Sequence, residues 1–442
     1  MKTPQYFSLL LVLFLFFNSC QKDESIVVES LEMHNVIDKI IDIMVEDIFS
    51  PPVASRIMAY PNIAAYEIIA IQNPNYTSLN GQVSDLKPIP EPISPLVNYK
   101  LSALIAHIEV SKTLVYSKDL LNKYTDSLYD NWSSINEKEF VASKEYGQRV
   151  ASHINNWKDT DGYKEIRSMT NYKVDYNDPS RWRKTPPSFI EGIEPHWNKL
   201  RPFVLDSASQ FMPIPPPTFS MDEGSVFFKQ VKEIYDISNE ITARGDDSEE
   251  IKIAQFWDCN PFVTVTRGHL MFSVKKISPG AHWMGICMIA CVKTGANFDK
   301  TVFSYAKTSI AIADAFISCW DEKYRSNLIR PVSVINQYID ESWVPILQTP
   351  PFPEYTSGHS VISGSASKVL ASIFGNDFEF DDTTELKFGL PIRHYASFQE
   401  AADEAAMSRM YGGIHYRAAV EEGIKQGSDL GAFVVDNLKM KD

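Results

Sequence analysis

From Ser30 onward the apolar residues of this chain recur every three or four positions, in one stretch after another, and rarely alternate. That period puts them along one side of a helix and argues against a sheet-based fold. Helical patterning runs over residues 30 to about 71, with breaks expected at Pro51-Pro52 and again at Pro61. Long amphipathic helices are expected near 97–129 and 137–157, and others near 223–239, 248–257, 280–294 and 299–320. Phe262-Val263-Thr264-Val265-Thr266 is the only strand-like stretch, and it is short. No internal repeat, glycine-rich phosphate loop or strand–helix alternation is visible, so the expected class is all-α, a helical bundle.

Two regions interrupt the pattern. Residues 78–95 are turn-rich. Residues 159–222 carry Pro179, Pro186, Pro187, Pro202 and the run Met212-Pro213-Ile214-Pro215-Pro216-Pro217. Tyr163, Tyr172, Trp182 and Trp197 interleave with these prolines, too many aromatics for a disordered linker, so an ordered excursion packed over the bundle is expected.

The net charge of -14 argues against nucleic acid as a partner. A cationic pocket here would invert the global field locally. At the N-terminus, Lys2 precedes an apolar run over residues 7–17 that is too short to span a bilayer. Phe17-Asn18-Ser19-Cys20 then resembles a bacterial lipobox, although Phe17 and Asn18 differ from its commonest residues. The resemblance implies a signal peptide over 1–20, lipidation at Cys20, a polar spacer over 21–30 and a folded domain over 31–442. It also implies an exported lipoprotein anchored in the outer membrane, facing the periplasm or the cell surface. The other cysteines, Cys259, Cys287, Cys291 and Cys319, form neither a disulfide framework nor a zinc pattern and are expected as buried thiols.

Between Trp320 and His415 lie three short clusters that offer groups for an oxyanion. Lys323 and Arg330 are seven apart, so both can project from one helix face, with Pro331 ending or kinking that helix. Ser357-Gly358-His359 follows Pro350, Pro351 and Pro353, and a helix closed by Gly375 follows it. Ser357 and Gly358 therefore sit at a helix N-terminus, where unpaired N–H groups favour an anion. Ser397 and Glu400 make a capping box opening a helix to Tyr411. Arg409 falls in its last turn, and His415 just past Gly412-Gly413. None of the clusters brings the carboxylates that a metal cation would need. His34, His107, His153, His196, His269, His282 and His394 are scattered and need no function.

Lys323-x6-Arg330-Pro331, Ser357-Gly358-His359 and Ser408-Arg409-x5-His415 resemble the three motifs shared by type-2 phosphatidic acid phosphatases and vanadium-dependent haloperoxidases. Thr356 stands where the usual motif has proline. The resemblance implies two packed four-helix bundles with the active site within 320–415. It implies His415 as the ligand to the vanadium of vanadate, or as the phosphorylated nucleophile of an acid phosphatase, and His359 as the acid–base residue. Lys323, Arg330, Arg409, Ser357 and the Gly358 amide would hold the oxygens, and Lys323 would polarise bound peroxide. Trp320 and Phe352 fall where similar haloperoxidases line the halide side. The expected activity is vanadate-dependent oxidation of a halide by hydrogen peroxide to hypohalous acid, with iodide favoured and bromide open. The phosphatase alternative shares every anchoring residue.

Overall fold

In the computed structural model, which describes residues 24–261, 263–267, 270–273 and 276–441, helix α1 (Ser30–Glu46) opens on a capping box between Glu29 and Glu32. The expected signal peptide, its Cys20 and the start of the spacer lie outside the described residues. Ile26 and Val28, expected within the spacer, are already buried in the core. Helix α2 (Pro51–Gln72) starts on Pro51-Pro52, where a missing N–H costs nothing. It runs unbroken through Pro61, contrary to expectation. The loss of one backbone bond there, about 3 kcal/mol, is outweighed by a helix buried on nearly every side.

The single helix expected near 97–129 is instead two, α3 (Tyr99–Ser111) and α4 (Lys118–Ile135). Asp47, just past α1, holds the break open by accepting from the N–H groups of Tyr116 and Ser117 at 2.8 and 3.0 Å. Helix α5 (Glu137–Lys158) and the short α6 (Tyr163–Arg167) follow. The proline-rich excursion is ordered. Trp182 and Trp197 are fully buried, and the buried Asp314 accepts from the N–H groups of Phe203, Val204 and Leu205.

Beyond the excursion come α7 (Val226–Arg244) and α8 (Glu249–Phe256), then the antiparallel hairpin β1 (Thr264–Arg267) and β2 (Leu270–Ser273). Next are α9 (Pro279–Lys293), α10 (Phe298–Ser326), α11 (Pro331–Tyr338) and α12 (Gly358–Phe374). A second hairpin, β3 (Phe380–Asp382) with β4 (Arg393–Tyr395), precedes α13 (Phe398–Tyr411) and α14 (Arg417–Asn437). The strand content thus exceeds the one stretch expected, but both hairpins are short and the class is all-α.

Helices α2, α3 and α5 pack as one group and α12, α13 and α14 as another, while the 29-residue α10 lies against both α2 and α12. The α12–α14 seam is built on glycines. A Cβ on Gly427 would come within 2.0 Å of the Val361 carbonyl oxygen, and one on Gly364 within 2.7 Å of that of Ile424. Backbones that close cannot accept a methyl group without moving apart. Gly427→Ala is expected to destabilise the protein by about 1–3 kcal/mol or more. Urea denaturation measures it, and an unchanged midpoint would refute the seam. The seam matters because α12 and α14 begin at either side of the site.

Candidate active site

Lys323 and Arg330 do not share a helix face. Helix α10 ends at Ser326 because Asn327 turns left-handed, with φ 50°. Arg330 is then the extended N-cap of α11, and Pro331 begins that helix rather than ending one. Ser357 caps α12 as expected, its Oγ accepting from Ser360 N–H at 3.3 Å. That uses a lone pair and leaves the hydroxyl proton to donate. The Gly358 N–H, in the first turn, has no intrahelical acceptor. Arg409 lies in the last turn of α13, and Gly413, at φ 74°, turns the chain so that His415 faces back toward it.

These segments meet around a cavity of about 30 Å³. Its walls include Trp320, Phe352, Gly358, His359, Arg409 and His415. The Trp320 and Phe352 rings sit 5.0 Å apart, and Trp320 Nε1–H donates to the Ile193 carbonyl of the excursion at 3.2 Å. At Gly358 a Cβ would meet nothing nearer than the Trp320 ring at 3.8 Å, so this backbone presents an open cradle to the cavity. Lys323, Arg330 and Ser357 are fully buried around it.

His415 is oriented from behind. Glu354 Oε1 accepts from Tyr416 N–H at 2.9 Å and faces His415 Nδ1 at 2.8 Å. An acceptor there places the ring proton on Nδ1, so Nε2 keeps its lone pair. Arg330 donates to that Nε2 from Nη1 at 3.1 Å, and to the carbonyls of Phe352 and Ile414. Arg409 donates through Nη1 to the Trp257 carbonyl at 2.6 Å and to His359 Nε2 at 3.0 Å. Lys323 differs from expectation. Its ammonium is directed to three backbone carbonyls, those of Pro353, Glu354 and Thr356, in the loop that leads into α12. It braces the cup rather than pointing a free proton into it.

The electrostatics follow from burying cations together. Burial and the neighbouring arginines hold both His415 and His359 well below the usual imidazole range, so both are neutral at pH 7. Burial also pushes Lys323 down to about 8 and Arg330 down to about 10. Two guanidinium donors, Arg330 Nη2 and Arg409 Nε, are buried without an acceptor among the described residues. Such an unmade donor costs about 1–3 kcal/mol. Oxyanion oxygens are the acceptors that would relieve it, so the residues fit vanadate by donor set and by charge.

Carboxylates do stand nearby, contrary to the sequence expectation. Glu354 is fully buried, and burial lifts it to about 7 against the pull of Arg330. Asp258 lies 3.9 Å from Arg409 Nη2. Neither lies on a periodic element, so no spacing could announce them. Glu354 is aimed at the back of His415 and does not plug the cavity.

Residues 303–441, from within α10 to beyond α14, match the VCPO second helical-bundle domain. Among solved structures the chain is similar to a bacterial vanadium-dependent iodoperoxidase, with 59% identity and a TM-score of 0.92 over 95% of this chain and 99% of that one. A holo-type bacterial vanadium-dependent chloroperoxidase shares the fold at 19% identity and a TM-score of 0.66, over 89% of this chain and 94% of its own. No match was found among curated proteins. With the near-complete coverage of a relative at that identity, the chain belongs to the vanadium-dependent haloperoxidases.

Proposed function

We propose that this haloperoxidase oxidises iodide with hydrogen peroxide, and that His415 Nε2 is the atom through which it holds vanadate. The observation that carries the assignment is the Glu354–His415–Arg330 arrangement, which fixes the tautomer and sets His415 Nε2 3.1 Å from Arg330 Nη1, on a guanidinium whose Nη2 is buried without an acceptor among the described residues. Vanadate, when bound, supplies a Lewis acid that activates peroxide without changing oxidation state. The protein holds the charge. Arg330, Arg409, the Ser357 hydroxyl and the Gly358 N–H would hold the oxygens of the vanadate, each such donor contributing about 3–4 kcal/mol to stabilising charge. Lys323 adds positive potential and fixes the loop carrying Ser357. His359, neutral and partly accessible, is the group that moves the proton, with Arg409 keeping its Nε2 lone pair in place.

Iodide is favoured for physical reasons. The walls of the cavity include the Trp320 and Phe352 rings, and a weakly hydrated, polarisable anion loses least on entering it. The similarity to an iodoperoxidase at 59% identity points the same way. The test is to prepare the chain free of metal, add vanadate, and compare initial rates on iodide, bromide and chloride beside a phosphate monoester. Iodide should be fastest and ester cleavage negligible. Faster bromide or chloride oxidation would overturn the halide choice, and vanadate-inhibited ester cleavage would overturn the activity.

The N-terminal motif supports a second proposal, that the protein is exported and anchored through Cys20. Labelled palmitate should enter the wild-type chain in cells and not Cys20→Ala. Equal labelling of both would refute it.

A further inference from the structure

Behind the wall of the cavity lies a second cluster that the halide chemistry does not use. Cys259 follows α8, His282 lies in the first turns of α9, and Glu385 lies in the loop after β3. Cys259 Sγ is 3.6 Å from His282 Nδ1, Glu385 Oε1 is 3.3 Å from the same nitrogen, and no two of the three atoms are more than 4.8 Å apart. A tetrahedral zinc, with bonds of about 2.3 Å to sulfur and 2.0–2.2 Å to nitrogen and oxygen, sets its ligand atoms roughly 3.3–3.6 Å apart. The two separations from Nδ1 therefore already have the spacing that a shared ion would impose.

Two further observations point to a ligand. Glu385, 6% exposed, has an Oε1 that makes no well-aligned hydrogen bond among the described residues and is paired with His282 Nδ1 at 3.3 Å, so that atom faces the cluster. The other side of the His282 ring is tied down as a metal-binding imidazole requires. Its Nε2 lies 2.8 Å from Asp382 Oδ2 and 2.8 Å from Thr384 Oγ1, and the ring stacks on Trp257 at 4.3 Å. A carboxylate on the distal nitrogen fixes the tautomer and raises the basicity of the ligating one.

We propose that Cys259, His282 and Glu385 form a second metal centre, for a divalent ion of the zinc class, with Asp382 as the outer partner of His282. Binding exchanges the Cys259 thiol proton, and the Nδ1 proton where present, for the ion; Nε2–H stays on Asp382. Affinity therefore rises with pH. The centre ties three segments together at the cavity. Cys259 itself lines the cavity, and Trp257, stacked on His282, offers Arg409 its carbonyl. The ion would thus fix the strut behind Arg409.

The full chain, stripped of metal and kept free of vanadate, is titrated with zinc by calorimetry and with cobalt(II) by absorption. The expected result is one ion per chain, a sulfur-to-cobalt charge-transfer band and the strong visible absorption of tetrahedral cobalt. Cys259→Ser and His282→Gln should each weaken zinc at least about 100-fold, Asp382→Asn about 10–100-fold. Cys287→Ser and Cys291→Ser should leave it unchanged. Should the ligand variants fail to fold, the wild-type cobalt spectrum decides alone. Absence of the thiolate band, or binding that follows Cys287 instead of Cys259, overturns the proposal.

Discussion

Protein carrying His415→Ala passes through a desalting column without vanadate, and its halide oxidation falls by at least about 10²–10³-fold, as for loss of one preorganised charge-stabilising group. The effect is large because three features of the site converge on one nitrogen. Glu354 holds the Nδ1 proton, Arg330 faces Nε2, and burial keeps the ring neutral at working pH. Alanine removes the lone pair and also leaves Glu354, already lifted to about 7, facing a void. His359→Ala should behave differently. That side chain meets Arg409 but is not braced by a carboxylate, so its loss should spare vanadate retention and cost turnover about 10²–10⁴-fold. Metal analysis after desalting, set beside initial rates, separates the two roles. Equal vanadate retention and equal rates in both variants would end the assignment.

The contrast between those histidines is partly legible in the sequence. Ser357-Gly358-His359 announces itself because a proline-rich segment running into a helix is a local signal, and the N-cap at Ser357 follows from it. Arg409 and His415 are similarly local, spaced by a glycine bend that the chain needs in order to turn. The relation of Lys323 to Arg330 is not legible, because seven residues is two helical turns only if the helix continues. Asn327, adopting φ 50°, stops it, and little in an asparagine distinguishes that cap from an ordinary surface position. Pro61 misled in the opposite sense: local propensity argued for a break that tertiary burial overrode. Glu354, Asp258 and the partners of His282 were invisible for a further reason. They act across separations of about 20 to 150 residues, through contacts that no periodicity encodes.

Arg330→Ala combines the other large effect on vanadate with a cost to the fold. The side chain is fully buried, donates to the Phe352 and Ile414 carbonyls and to His415, and lies over the Phe352 ring at 5.1 Å. It is also the cation that does most to offset the charge of Glu354. Removing it leaves two carbonyls unpaired and a buried carboxyl without its counter-charge, a loss of about 3–5 kcal/mol when one partner of a buried set goes. Vanadate affinity should fall about 10²–10³-fold in addition, because Nη2, beside the cavity, is a buried donor without an acceptor among the described residues. Arg330→Lys should rescue little, since a single ammonium cannot reach two carbonyls, an imidazole and an oxyanion in one plane. Urea denaturation without vanadate reads the structural share, and vanadate titration of whatever remains folded reads the other. If Arg330→Lys restored both, point charge alone would suffice and the planar fork would be irrelevant. If Arg330→Ala lost stability yet bound vanadate normally, Arg330 would be a strut for His415 and not a contact to the oxyanion.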